Sequence, residues 1–134
     1  MESERLYRGV FFAGSAWNFI ASIPTMFLVG FLPSMIQIEA PRYPIFIYFN
    51  LMTMSMYGCI QFVVAKNLNS SRSFVKILFW AKTLTVLTFV AGVVFLDMPP
   101  SLISFLAPGI VLDLIFAALF WRYLVFSRAV KVQP

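Results

Sequence analysis

Histidine is absent from this 134-residue chain. With it go the commonest metal ligand, the usual general base near neutral pH and every Ser-His or Cys-His catalytic pair. Cysteine occurs once, as Cys59, so no internal disulfide can form, and its position inside an apolar run says nothing about redox compartment. It has no basic neighbour in sequence to activate the thiol and reads as packing. Charge is scarce: 11% of residues are charged and five are acidic. P-loop, nucleophile-elbow and zinc signatures are missing as well. The balance leans away from an enzyme, and no cofactor or metal is expected.

What is present is apolar. Hydrophobic residues make up 61% of the chain, and the mean hydropathy is +0.90, above that of an ordinary soluble domain. They gather into four runs, each approaching or exceeding the ~20 residues that a helix needs to cross a bilayer core. Barrel strands would alternate, and these runs do not. The expected fold is all-α: a single membrane domain over residues 1–134, built as an antiparallel bundle of four transmembrane helices near 9–32, 45–65, 74–96 and 101–126. The lipid bilayer is therefore the first partner.

The run from Gly9 to Leu32 is too long for a signal-peptide core and is expected to remain as the first span, closed by Pro33. Ser34 to Pro44 reads as a loop resting on the membrane surface, Lys66 to Ser73 as a short polar connection, and Asp97-Met98-Pro99-Pro100 as a tight turn with Ser101 as N-cap. Placing Arg5, Arg8, Lys66, Arg72, Lys76, Arg122, Arg128 and Lys131 on one side leaves only Arg42 on the other. The positive-inside rule then puts both termini in the cytoplasm. Tyr7, Trp121 and Tyr123 fall near the inner interface, and Tyr43 and Tyr48 near the outer one. The net charge of +5 thus reports topology and not nucleic acid.

Lys82 and Asp113 lie inside the third and fourth runs, where an ionisable group is costly and needs a partner. At 1.5 Å per residue from the basic ends, Lys82 lies roughly 12 Å deep, Asp113 and Tyr57 about 13 Å and Asn18 about 15 Å. Each span thus contributes one polar group to a single layer. Asn50, Thr53, Tyr57 and Gln61 share a helical stripe, as do Gly14, Asn18, Ala21 and Thr25; Thr85 accompanies Lys82, with Ala81, Thr88 and Gly92 beside them, and Gly109, Asp113 and Ala117 form a narrow face. These stripes are expected to face inward. The candidate residues are Asn18, Tyr57, Gln61, Lys82, Thr85 and Asp113.

Three readings of the layer stand open. It is structural glue that fixes helix register, or a ligand or ion site, or else Lys82 reaches for the inner headgroups and never meets Asp113. Pro24 and Pro108-Gly109 favour kinks in the outer half, and the expectation is a small cavity floored by Lys82 and Asp113. Met52, Met56 and Cys59 share a face, but methionine of this kind is flexible filling and not a copper site.

Trp17-Asn18 with Pro24, Tyr57-Gly58 followed by Ala65-Lys66-Asn67, Lys82, and Asp113-Leu114-Ile115 together resemble small four-helix bacterial membrane proteins of DoxX-like type. The resemblance runs from about Ala16 to Leu119. Ile60-Gln61 stands where that group has a second Gly-Tyr, Lys66-Asn67 lacks its acid and proline, and Ala81 replaces the glycine before the lysine. It implies a four-helix bundle in a bacterial plasma (inner) membrane and directs attention to Asn18, Tyr57, Lys82 and Asp113. It implies no substrate.

Three functions compete. The first is a non-enzymatic accessory or ligand-binding protein, whose partners are a lipid, a small hydrophobic molecule or another membrane protein, with a homo-oligomer also open. The second is an oligomeric small-molecule or proton-coupled transporter, although the strong charge bias argues against dual-topology assembly. The third is an intramembrane enzyme acting on a lipid or quinone through Lys82, Asp113 and Tyr57.

Overall fold

Proline and short polar connections set where the long helices stop. The computed structural model describes residues 2–130; Lys131, the last basic residue counted for orientation, lies outside them. In chain order the helices are α1 (Glu2–Leu28), α2 (Leu32–Met35), α3 (Ile45–Lys66), α4 (Arg72–Phe95) and α5 (Pro100–Val130), with a 3₁₀ turn at Leu68–Ser70. Among the described residues there is no strand. Four of the helices, α1, α3, α4 and α5, are long and apolar enough to cross a membrane.

Pro33 does not close α1 at Leu32 as the sequence suggested. Its ring would meet the carbonyl of Val29 and it has no N–H to donate, so α1 ends at Leu28 and the Phe31 N–H turns back onto the Leu28 carbonyl at 2.8 Å. Pro33 then occupies the first turn of the short α2, where a missing donor is harmless. At its other end α1 reaches back to Glu2, and an Arg8–Glu4 pair at 2.9 Å spans one turn. Ser101 is likewise not a cap: α5 already starts at Pro100, and the Ile103 N–H bonds to the Pro99 carbonyl at 3.0 Å. Asp97, at φ 45°, makes the preceding turn, a conformation that aspartate tolerates. Pro24 and Pro108 both stay inside continuous helices.

The spans associate as two antiparallel pairs. α1 packs along α3 and α4 along α5, with much lighter contact between α3 and α4 and between α1 and α5. Small and hydroxyl side chains line the α1–α3 seam. The Ser15 hydroxyl donates to the Gly58 carbonyl at 2.8 Å, and the Ser22 and Ser55 hydroxyls bond at 2.8 Å. Gly58 lets the Phe19 ring lie directly on the α3 backbone. Such residues allow the close approach on which membrane helices depend, because lipid supplies no hydrophobic drive between them.

This seam corrects two of the expected stripes. The buried positions of α3 are Leu51, Gly58, Gln61, Val64 and Ala65, whereas Asn50 and Thr53 are exposed. One residue is about 100° of helix rotation, so a stripe drawn through Tyr57 rather than Gly58 keeps Gln61 buried and Tyr57 half-buried but carries Asn50 and Thr53 to the exposed side. On α4, Lys82 and Gly92 are buried but Thr85 and Thr88 are exposed. The α1 and α5 stripes hold their direction: Gly14, Asn18, Asp113 and Ala117 are all buried.

The two pairs are joined mainly at the end where α1 begins, α5 ends and the 67–71 connection runs, here called the terminal end. Phe11 stacks on Phe120 at 4.9 Å and meets Tyr123 edge-on at 5.6 Å, and Tyr7 meets Tyr123 at 5.2 Å. Val64, Leu68, Val75 and Leu78 complete this core. The Tyr123 hydroxyl donates to the Leu68 carbonyl at 2.8 Å, and the Arg72 guanidinium donates to the Leu124 carbonyl at 3.1 Å. Toward the opposite end burial thins out, and α5 has no buried residue between Pro100 and Leu112.

Gly14 supplies a test of this packing. A Cβ built there lies 2.5 Å from Gln61 Oε1 and 3.4 Å from the Phe116 ring, while one at Gly9 meets nothing within 4 Å. Thermal unfolding in detergent should show Gly14→Ala destabilised by about 1–3 kcal/mol, the usual cost of overpacking. Gly9→Ala, inside α1 with open space around its Cβ, should be stabilised by about 0.5–1 kcal/mol, the helix-propensity gain of alanine over glycine; equal behaviour of the two variants would refute the seam.

Candidate functional site

A lysine in the interior of an apolar span must be compensated, and α4 places Lys82 where two other helices can do so. Lys82 is 5% exposed and Asp113 is 7% exposed, and the Lys82 Nζ donates to Asp113 Oδ1 at 2.5 Å. Asn18, fully buried on α1, accepts a second Nζ–H on Oδ1 at 3.0 Å. The α4–α5 contact is within one helix pair. The α4–α1 contact crosses between pairs. Lys82 is therefore both the charge that α5 neutralises and the donor that ties the two halves together.

The other candidates fall elsewhere. Gln61 is fully buried on α3, and its amide lies over Gly14, one helical turn along α1 from Asn18. Among the described residues neither its oxygen nor its nitrogen has a hydrogen-bond partner, and the same is true of Asn18 Nδ2. Tyr57 is half-buried and makes no side-chain hydrogen bond among the described residues; it lines a surface groove between α3 and α4. Thr85 is exposed and bonds only to the Ala81 carbonyl of its own helix, at 3.0 Å. The structure thus brings Asn18, Lys82 and Asp113 into contact, sets Gln61 nearby, leaves Tyr57 half-buried against the edge of the core and puts Thr85 on the outside.

Sequence reasoning passed over Ser15, Ser22 and Ser55, whose hydroxyls hold α1 to α3. Their signal was available as a stripe of small polar residues, Ser15, Asn18 and Ser22, at i, i+3 and i+7. Among the described residues no three His, Cys, Asp or Glu side chains gather where they could hold a metal ion. The expected cavity floored by the charge pair has no counterpart in the two concavities of the molecule described here. One lies along α1 at Arg5, Leu6, Gly9, Val10 and Ala13, the other between α3 and α4, and neither is lined by Lys82 or Asp113.

Fold and layer together define a class: a small integral membrane protein of four long apolar helices with buried polar and charged groups at their centre. No protein-family model, curated protein or solved structure matches the chain. The DoxX-like resemblance therefore extends no further than the four-helix plan.

The hydrogen bonds separate two amides that look alike in sequence. Asn18→Leu removes an acceptor from a buried ammonium and should cost between ~0.6 kcal/mol, the mean for side-chain hydrogen bonds in a membrane bundle, and ~3 kcal/mol, the upper range for bonds to charge. Gln61→Met removes an amide with no partner and should be neutral or stabilising. A loss of thermal stability in Gln61→Met matching that of Asn18→Leu would contradict the assignment.

Proposed function

We propose that this chain is a non-enzymatic membrane protein of the accessory or ligand-binding kind, in which the charged layer is a clasp between helix pairs and hydrophobic molecules are received on membrane-facing surfaces. The observation that carries the reading is the engagement of Lys82. Its ammonium is buried, and two of its three N–H groups are taken by a carboxylate from α5 and an amide oxygen from α1, so its charge is committed to holding helices together. A transporter or an intramembrane enzyme would need that pair to open. The unpartnered amide atoms of Asn18 and Gln61 and the third N–H of Lys82 are hydrogen-bonding capacity left in the layer, and they support a small polar-headed hydrophobic ligand as the alternative occupant of this layer.

Orientation follows the charge. The terminal end carries Arg5, Arg8, Lys66, Arg72, Lys76 and Arg122, and the positive-inside rule supports a cytoplasmic assignment for it. The membrane is then the plasma membrane of a bacterium if the DoxX-like resemblance is followed.

A double-mutant cycle on Lys82→Met and Asp113→Leu tests the clasp, read as thermal stability and as the content of co-purified hydrophobic molecules in detergent. Each single change strands one buried charge and should cost about 3–5 kcal/mol, whereas the double should recover most of the loss. Additive losses would end the pairing argument. A double variant that folds normally but no longer retains those molecules would move the ligand into the layer and overturn the clasp as its sole role.

A further inference from the structure

The light contact between α3 and α4 leaves a shallow groove of about 450 Å³, lined by Tyr57, Lys76, Ile77, Trp80, Ala81 and Leu84. The geometry points to this groove as a binding site for an anionic phospholipid of the terminal-end leaflet, its phosphate on Lys76 and an acyl chain running toward Leu84. The inference rests on the reading of the chain as a ligand-receiving membrane protein and deepens it by naming the site and the lipid class.

Three observations carry it. The first is charge. Lys76 is exposed and, among the described residues, has no carboxylate within ion-pair distance. The described acid at that end of the bundle, Glu4, is already paired with Arg8. A free ammonium one turn inside the helix end stands at the level where lipid phosphates lie, and basic grooves between spans on the positive side of a protein suit anionic headgroups.

The second is shape and direction. Lys76, Trp80 and Leu84 follow one another at i, i+4 and i+8 on α4, so the wall of the groove runs along the helix for about 12 Å, from the interface into the core. A lipid chain lies in the same direction. Ile77, Trp80 and Leu84 are each more than half exposed, which presents an apolar wall. Ala81 is the small residue beside them, leaving the floor low.

The third is the opposite wall. Tyr57 stands there and makes no hydrogen bond within the protein among the described residues. Counting residues from the terminal end sets it about 13 Å deep, level with Lys82 and between Trp80 and Leu84, so its ring flanks the chain side of the groove. A cation at the interface and a wall of Trp80, Tyr57 and Leu84 below it match phosphate and acyl chain in order.

The test uses the full chain in nanodiscs of phosphatidylcholine. Trp17→Phe and Trp121→Phe leave Trp80 as the only tryptophan. Quenching is compared between equal fractions of dibrominated phosphatidylglycerol and dibrominated phosphatidylcholine. The expected result is quenching by the anionic lipid at several-fold lower mole fraction. Lys76→Gln should abolish that preference, with thermal stability unchanged because Lys82 and Asp113 are untouched. Ala81→Leu should weaken quenching by filling the floor while the charge remains. Arg5→Gln, which removes a cation beside the other groove, should leave the preference intact.

Equal quenching by the two lipids overturns the site, and so does a preference that survives Lys76→Gln or is lost equally in Arg5→Gln. Either failure leaves the clasp standing or falling on the Lys82/Asp113 cycle, which does not involve Lys76.

Discussion

The Lys82–Asp113 pair is the constraint on which the rest of this bundle depends. In lipid an unpaired ammonium has no solvent to fall back on, so the helix that carries it must stand beside the helix that carries the carboxylate. That fixes α4 against α5 in register as well as in proximity, because each span is a rod on which only one height matches. Asn18 extends the constraint to α1. A chain whose helices otherwise present similar apolar surfaces to each other and to lipid thereby acquires one arrangement that satisfies its charges, and shifting any of the three helices by a turn would break it.

Around that fixed point the molecule is unevenly built. On the terminal side, aromatic rings from α1 and α5 interlock and two side-chain-to-backbone hydrogen bonds tie the 67–72 region to α5. On the opposite side the buried residues are few: Ser22, Val29, Pro33, Leu51 and Gly92. None of the aromatic contacts or side-chain hydrogen bonds described between the two helix pairs lies beyond the Lys82 layer in that direction. Since lipid tails are as apolar as the side chains they would replace, the open half carries no hydrophobic penalty in a bilayer. Freedom between the pairs is therefore expected to lie in the half beyond the layer, with the aromatic end as the pivot.

The sequence made some of this legible and hid the rest for a physical reason. Run length and charge placement disclose four spans, and the rarity of ionisable residues inside them singles out Lys82 and Asp113 before any contact is known. Depth counting finds Asn18 as well, because 1.5 Å per residue is a rigid ruler. Rotation is less forgiving. Tyr57 and Gly58 are neighbours separated by about 100°, and a polarity argument favours tyrosine as the inward residue. Close packing selects glycine, since Ser15 and Phe19 need the α3 backbone itself. Thr85 fails in the same way: its hydroxyl is satisfied by its own helix, so facing lipid costs it little, and polarity alone does not predict burial. Helix limits obeyed a different rule. Pro33 acts on the carbonyl four residues before it, which is why α1 ended at Leu28 and not beside the proline.

The two lysines of α4 show how one residue type takes opposite tasks on one helix. Lys76 and Lys82 are six positions apart, which places their side chains about 120° apart around the axis and roughly 9 Å apart along it. Near the helix end and facing outward, the Lys76 stem can lie along apolar surface while its ammonium stays at the interface. Lys82 lies deeper and faces the protein, so the same stem carries its charge to Asp113 and Asn18 instead. Depth and rotation, not residue identity, decide which lysine is spent on the fold and which is left available. On this argument the residue that drew notice for being buried holds three helices in register, and the ordinary-looking lysine at the membrane edge keeps its ammonium outside the bundle.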